Sequence, residues 1–341
     1  MGRATVLACA LLAAMPAAAG ELLVGNKSAD TVWRISLEDG TRRAEIATGA
    51  APHEIAVAPD GRAAAVTNYG HRDPGNTLTL IDGDGTTTRT FDLGMHARPH
   101  GVRFSPDGHR LLVTTEASGS LLAVDAGTGV VERAYRIGEG VGHMVALSHG
   151  GDVAYVSKIR AGTVVRIDLA TGEVLERPAG AGAEGIGVAP DGGVWVTNRE
   201  AGTVTIHDPD SLVIRATLDS PGFPIRVVFT TDGRHALVTN ARAATLSVFD
   251  AASHALVATV ALAEAGREYR QTLLGEAALP IGVIADPRRP RVYVAISGGN
   301  EVAVVDTAHW EVVDRWATGD EPDALAIVPP ATAGQGDGPA D

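Results

Sequence analysis

The chain has 341 residues, 45 % of them hydrophobic, with 41 glycines and a formal net charge of −13. Such acidity argues against nucleic-acid binding through phosphates unless the arginines gather on one face. The single cysteine, Cys9, lies in the first twenty residues, so the remainder has no means of thiol catalysis, disulfide formation, c-type haem attachment or iron–sulfur ligation.

Residues 1–20 read as a secretory signal: Arg3, an apolar run from Val6 to Met15, and Ala17-Ala18-Ala19, with cleavage expected near Ala19 or Gly20. The apolar run is too short to serve as a transmembrane anchor. The expected location is therefore the periplasm or the cell exterior.

From Leu22 to Gly49 the sequence supplies three strand-like runs of a repeat whose first run is missing. Full repeats then begin at His53 (HEIAVAPDGRAAAVTN), His100 (HGVRFSPDGHRLLVTT), His143 (HMVALSHGGDVAYVSK), Glu184 (EGIGVAPDGGVWVTN), Ile225 (IRVVFTTDGRHALVTN) and Ile281 (IGVIADPRRPRVYVAI). A last copy starts at Asp323 (DALAIVPP). These starts are 47, 43, 41, 41, 56 and 42 residues apart. A period near forty with four strand-like runs per unit predicts a β-propeller of four-stranded antiparallel blades. Asp323 to Pro329 is the strand missing before Leu22, so the two ends share one blade. That gives an all-β, seven-bladed ring over 21–330, closed by pairing of the C-terminal strand with the N-terminal blade. Residues 331–341 are small and polar, the composition of a disordered tail.

Within each unit, Pro-Asp-Gly after the first run marks a turn in which Asp bonds its own backbone and Gly accepts positive φ. The third run closes on Asp82, Asp125, Asp168, Asp208, Asp250 or Asp306, expected as turn formers rather than catalytic acids. Trp33, Trp195, Trp310 and Trp316 are expected to pack between blades. Gly180 to Gly185 fits a dinucleotide fingerprint, but joins two strands with no helix to receive a pyrophosphate.

Val66-Thr67-Asn68, Trp195-Val196-Thr197-Asn198 and Leu237-Val238-Thr239-Asn240 follow such turns and resemble the YVTN-type propeller repeat, in the wider superfamily of lactonase-like propellers. The resemblance covers Leu22 to Pro329. It implies a monomeric propeller from a group that includes secreted binding proteins, lactonases, a streptogramin lyase and subunits of periplasmic redox enzymes, and it does not choose among them.

In a propeller the first strand of each blade lines the central channel, so the first residues of the repeats converge on one mouth. Those residues are His53, His100, His143, Glu184, Ile225, Ile281 and Asp323. Three histidines with Glu184 and Asp323 form an arc suited to one transition metal (Zn, Cu or Fe) or to acid/base chemistry. The alternative is that the histidines fill the channel entrance and bond to neighbouring backbone.

Loops expected on the same face carry Lys27, His71, Arg72, Glu116, Lys158, Arg160, Arg199 and Arg242, a rim suited to an anionic ligand. An insertion, Ala263 to Leu279, offers Glu268, Tyr269, Arg270 and Gln271 as lid candidates. Three readings follow: binding of a small anionic ligand, a metal or an envelope protein at the mouth; a lactonase- or lyase-type enzyme using that mouth; or a scaffold for a periplasmic redox system.

Overall fold

Each repeat folds into an antiparallel sheet because its apolar runs are short and separated by residues that close tight turns. In the computed structural model, which describes residues 20–330, blade 1 comprises Pro52–Val57, Ala63–Asn68, Thr77–Asp82 and Thr88–Asp92. Blades 2 to 6 begin with the inner strands Pro99–Phe104, Gly142–Leu147, Ala183–Val188, Pro224–Phe229 and Pro280–Ala285. Apart from Gly20, the expected signal segment, including Cys9, lies outside the described residues, as does the 331–341 tail.

Blade 7 is built from both ends of the chain. Its order is Arg42–Ala47, Thr31–Ser36, Glu21–Asn26, Pro322–Val328, and the closing pair runs in register from Leu22 opposite Ile327 to Val24 opposite Leu325, then shifts so that Asn26 faces Pro322. The ring therefore has seven four-stranded blades, closed as the repeat pattern requires. Pairing these strands removes two sheet edges that would otherwise present unpaired backbone.

The turns behave as their residues dictate. Asp60, Asp107 and Asp191 accept the backbone N–H two residues ahead, and the following Gly61, Gly108 and Gly192 all have positive φ. Asp125, Asp168, Asp208, Asp250 and Asp306 each accept two backbone N–H groups in the same way. Asp82 departs from this pattern: the Asx bond in its turn is made by Asp84, to Thr86.

The core lies between blades. Leu78 and Leu80 of blade 1 pack on Val102, Leu111 and Leu122 of blade 2, all essentially solvent-free. Each such side chain contributes about 1.5–3 kcal/mol by leaving water. Trp195 meets Phe229 of the next blade edge-on at 5.6 Å, and Trp310 meets His235 of the preceding blade at 5.2 Å. Trp316 joins Leu22, Val24 and Ile35 between blades 6 and 7, and Trp33 packs against the same cluster with the Arg42 guanidinium over its ring. No helix among the described residues is long and apolar enough to cross a membrane.

Candidate functional site

The second residue of every inner strand reaches one cavity at the channel mouth, of about 210 Å³. Two features of the repeat put it there. The pairing register of the inner strand shifts at this point; in blade 1, Pro52 faces Asn68 and the next pair is Ile55 with Val66. A bulge of this kind leaves the intervening residues free of the ladder and re-aims their side chains. The hydroxyl of the Val-Thr-Asn segment then takes over: Thr67 accepts the N–H of Glu54 and donates to the carbonyl of His100 in the next blade.

The same bond recurs from Thr114 to the His143 carbonyl, Ser157 to Glu184, Thr197 to Ile225 and Thr239 to Ile281. Five of the seven mouth residues are thus fixed by a hydroxyl on the preceding blade. Glycine lets the strands come this close: a Cβ on Gly185 would lie 2.3 Å from the Ile225 carbonyl oxygen, and one on Gly282 2.0 Å from that of Asp323.

The three histidine rings adjoin in a continuous row, His53 meeting His100 edge-on and His100 meeting His143 at a tilt. The His53 ring lies 4.4 Å from that of His100, which lies 3.5 Å from that of His143, and Tyr69 stacks on His53 at 4.7 Å. His143 is held between two carboxylates, with Nδ1 2.6 Å from Glu116 and Nε2 3.5 Å from Glu184. Tyr69 donates its hydroxyl to the other oxygen of Glu116. His100 is 1 % exposed, and neither ring nitrogen has a hydrogen-bond partner among the described residues. Nδ1 of His53 is likewise unpartnered.

Burial and charge set different protonation states along this row. Burial pushes His53 down to about 4 against the pull of Asp323, and pushes His100 well below the ordinary histidine value. Burial acts on His143 in the same direction, but Glu116 and Glu184 outweigh it and raise its pKa. Burial opposes ionisation of Glu116, Glu184 and Asp323, yet neighbouring His143 (for the two glutamates) and Lys27 (for Asp323) keep all three below their ordinary values.

Donor atoms of His100, His143 and Glu116 lie within 4.8 Å of one another. Of the five metal candidates expected from sequence, all line the cavity, but only two enter this cluster. Glu184 is engaged by Arg199 at 2.8 Å, and Asp323 by Lys27 at 3.5 Å. Glu116, expected as a rim charge, supplies the carboxylate instead. His53 stands beside the cluster, 3.9 Å from Asp323.

The expected cationic rim divides. Lys27 and Arg199 line the cavity, each already paired with carboxylates. His71 pairs with Asp30 on the outside, and Arg270 with Asp320. Lys158 is buried elsewhere: it ends the strand Val153–Lys158, and its ammonium donates to the Ile137 carbonyl and to Glu176 on the outer strand of its own blade. Arg72 and Arg160 are exposed away from the cavity; Arg242 stacks on Phe223 beside a separate groove.

Two features escaped the sequence reading. The insertion does reach the mouth, but through the hairpin Gln271–Thr272 and Gly275–Glu276, whose Thr272, Leu273 and Leu274 line the cavity. Of the expected lid residues, Tyr269 instead accepts the N–H of Glu264, and Arg270 turns outward to Asp320. The second feature is a buried pair across the channel, Arg226 of blade 5 with Glu54 of blade 1. Arg226 also lies 3.8 Å from Glu184 and 3.9 Å from Asp323. A charge at the third position of an otherwise apolar inner strand was the available signal for both members.

No protein-family model matches the chain. Over 128 residues it is 26 % identical to proteins named YncE from Salmonella typhi and Salmonella typhimurium, covering 36 % of this chain and 36 % of each relative, well under half their length. A functionally unknown protein of Desulfotomaculum acetoxidans superposes with a TM-score of 0.75 at 17 % identity, covering 92 % of this chain and all of that one. The periplasmic gluconolactonase of Pseudomonas aeruginosa gives 0.72 at 20 % identity, over 91 % and 99 % of the two chains. A streptogramin B lyase gives 0.69 at 12 %, over 91 % and 95 %. At such identities the structural likeness is one of fold.

Proposed function

Since this chain is a seven-bladed propeller that resembles YncE over part of its length, we propose that its mouth binds one divalent transition-metal ion through His100, His143 and Glu116. The observation that carries this reading is His100, a buried imidazole with two unpartnered nitrogens beside a second imidazole and a carboxylate. Leaving such groups unpaired costs about 1–3 kcal/mol each, and coordination through one nitrogen removes that cost for one of the two. Neutral imidazole and carboxylate suit Zn, Cu or Fe.

Charge supports a cation over an anion. The mouth groups Lys27, Arg199 and Arg226 bring three permanent positive charges, against Glu54, Glu116, Glu184, Glu321 and Asp323. Once the ion displaces the proton that Glu116 and Glu184 favour on His143, the histidines are neutral and a divalent ion balances the two remaining negative charges. All three cations are already ion-paired with carboxylates, which weakens their pull on a small anion; of the two arginines' buried nitrogens, only Arg199 Nε and Arg226 Nη1 lack a hydrogen-bond partner among the described residues.

The test is elemental analysis and zinc titration of the untagged protein and of His100→Ala/Glu116→Ala. One ion per chain is expected in the parent, with affinity lower by about 100-fold or more in the folded variant, as for loss of direct ligands. Equal zinc affinity in the two would return the histidines to a structural role.

A second reading, hydrolysis of a lactone at this metal, draws on the gluconolactonase likeness and on Arg199 lying inside the cavity. There the ion would polarise the ester carbonyl, while Arg199 and Arg226 stabilise the charge that develops. Turnover of a δ-lactone by the zinc-loaded parent, lost in the double variant, is the outcome this reading requires.

The scaffold reading is less favoured. The exposed large apolar residues come from many places: Met95 and Leu273 from loops, and Val130, Val174, Val213, Leu256 and Val313 from in or next to the outer strands of five different blades. The location that fits is the periplasm, supported by the apolar run Val6 to Met15 and by the periplasmic gluconolactonase of the same fold.

A further inference from the structure

Below the mouth the channel holds a second, larger cavity. It measures about 510 Å³, and Pro59, Pro287 and Pro329, from turns following three of the inner strands, border it on the opposite face of the ring. Arg226 and Asp323 border both cavities, so the buried Arg226–Glu54 pair stands between them.

Comparison of the inner strands by position isolates one charge in this lower chamber. At the third position, blades 1 and 5 carry Glu54 and Arg226, which satisfy each other, while the rest carry Gly, Met or Ala. At the fifth, six blades carry Ala, Gly, Val or Ile, and blade 2 carries Arg103. No carboxylate among the described residues is ion-paired with Arg103, whose guanidinium donates to the carbonyl of Val102 at 2.8 Å. Burial and the like charge of Arg226 both lower its pKa, and only Glu54 acts against them. Apart from Glu54, Arg226 and Asp323, the chamber's walls are largely apolar, including Val57, Phe104, Val228, Ile284 and Ile327.

A guanidinium held among apolar walls without a counter-charge is destabilised until an anion meets it. Its planar fork of N–H donors matches the two oxygens of a carboxylate. The chamber's size falls within the range of small-molecule pockets. We propose that the lower chamber binds a monocarboxylate with an apolar tail, entering from the face opposite the mouth. The carboxylate sits on Arg103 and the tail lies along Val228, Ile284 and Ile327. Glu54, committed to Arg226, disfavours a second negative group on the same ligand.

The experiment is calorimetric titration of the whole protein with octanoate, butyrate, acetate, 1-octanol and inorganic phosphate. One saturable octanoate site is expected, with affinity rising from acetate to octanoate, and with octanol and phosphate each weaker by at least about tenfold, the worth of one charge-assisted contact or of the buried tail. Arg103→Met, which keeps bulk and removes charge, should weaken octanoate by a similar factor, and Val228→Glu should abolish binding. Absence of a saturable octanoate site, octanol or phosphate binding as tightly as octanoate, or an unchanged affinity in folded Arg103→Met would each overturn the proposal. Should Arg103→Met fail to fold, the acid–alcohol comparison on the parent still decides.

Discussion

In blades 7 and 1 to 4 the second residue of the inner strand is Asp323, His53, His100, His143 or Glu184, whereas in blades 5 and 6 it is Ile225 or Ile281. Both arcs use the same backbone arrangement, since hydroxyls fix the carbonyls of Ile225 and Ile281 as they do those of His100 and His143. Their side chains meet different fates. The isoleucines merge with Phe223, Ala241 and Leu279 of the insertion into a hydrophobic cluster, so that arc is core. The polar arc keeps buried nitrogens without partners and alternates charge along the row. The repeat sets where a side chain points, and its chemistry decides whether the position becomes core or site.

Removing the link between the arcs should have the largest effect. Arg226 reaches from blade 5 to Glu54 of blade 1 and lies near Glu184 and Asp323. Arg226→Met leaves those buried carboxylates without their shared cation, and the expected loss is about 3–5 kcal/mol, read as a lower urea midpoint. Adding Glu54→Leu should recover much of it, because an apolar pair replaces a broken ionic one. An unchanged midpoint in Arg226→Met would show that the two arcs are stabilised independently.

Leu279→Ala tests the apolar arc by itself. Leu279 is buried against Ile225 and Ile281, and a cavity there should destabilise by about 2–5 kcal/mol. Zinc affinity at the polar arc should stay within a factor of about two, as expected for sites without shared partners. A large fall in affinity would mean that the hairpin over the mouth also shapes the ligand cluster.

These contrasts also mark what could be read from the sequence. The forty-residue period and the strand lacking before Leu22 were sufficient for blade count and closure, because both follow from local alternation and turn residues. The arc of His53, His100 and His143 followed from one repeated position. Which carboxylate joins them did not follow, since Glu116 comes from the loop after the second strand and its reach depends on the side-chain conformation of Tyr69 and His143. Lys158 read as a rim cation, yet it holds the last position of its strand, equivalent to Asn26 and Asn198 rather than to Lys27, and Glu176 and a carbonyl draw it inward. The roles of Thr67, Thr197 and Thr239 were hidden in plain sight. The Val-Thr-Asn segments that carry the family resemblance include the hydroxyls that position the site.

The protonation pattern gives the next effect. The folded pKa of His53 is held near 4, below its ordinary 6.5, so its contribution to stability is complete above 6.5 and is lost as pH falls toward 4. His100 acts in the same sense; His143, raised instead, contributes below its ordinary value and loses that contribution as pH rises through its folded pKa. Stability of the metal-free protein should therefore fall between pH 6.5 and about 4. His53→Leu should flatten that fall by up to about 1.4 kcal/mol per pH unit, one proton's worth. Urea unfolding across that range measures the slope, and equal slopes would mean that His53 is not held neutral by burial.

The smallest effect separates the two arcs most cleanly. Thr114 accepts the N–H of Gly101 and donates to the His143 carbonyl; Thr239 accepts the N–H of Arg226 and donates to the Ile281 carbonyl. Valine at either position keeps the shape and removes both bonds, so Thr114→Val and Thr239→Val should destabilise alike, by about 1–3 kcal/mol. Their consequences for the mouth should differ. Freed from its hydroxyl, the His143 backbone no longer fixes the imidazole relative to Glu116, and zinc affinity should drop by about tenfold or more, as when a ligand's supporting contact is lost. The same release at Ile281 moves an apolar side chain and should leave zinc affinity unchanged. Equal affinities in the two variants would mean that His143 is positioned by its carboxylate clamp alone, and that the shared backbone bond serves the ring rather than the site.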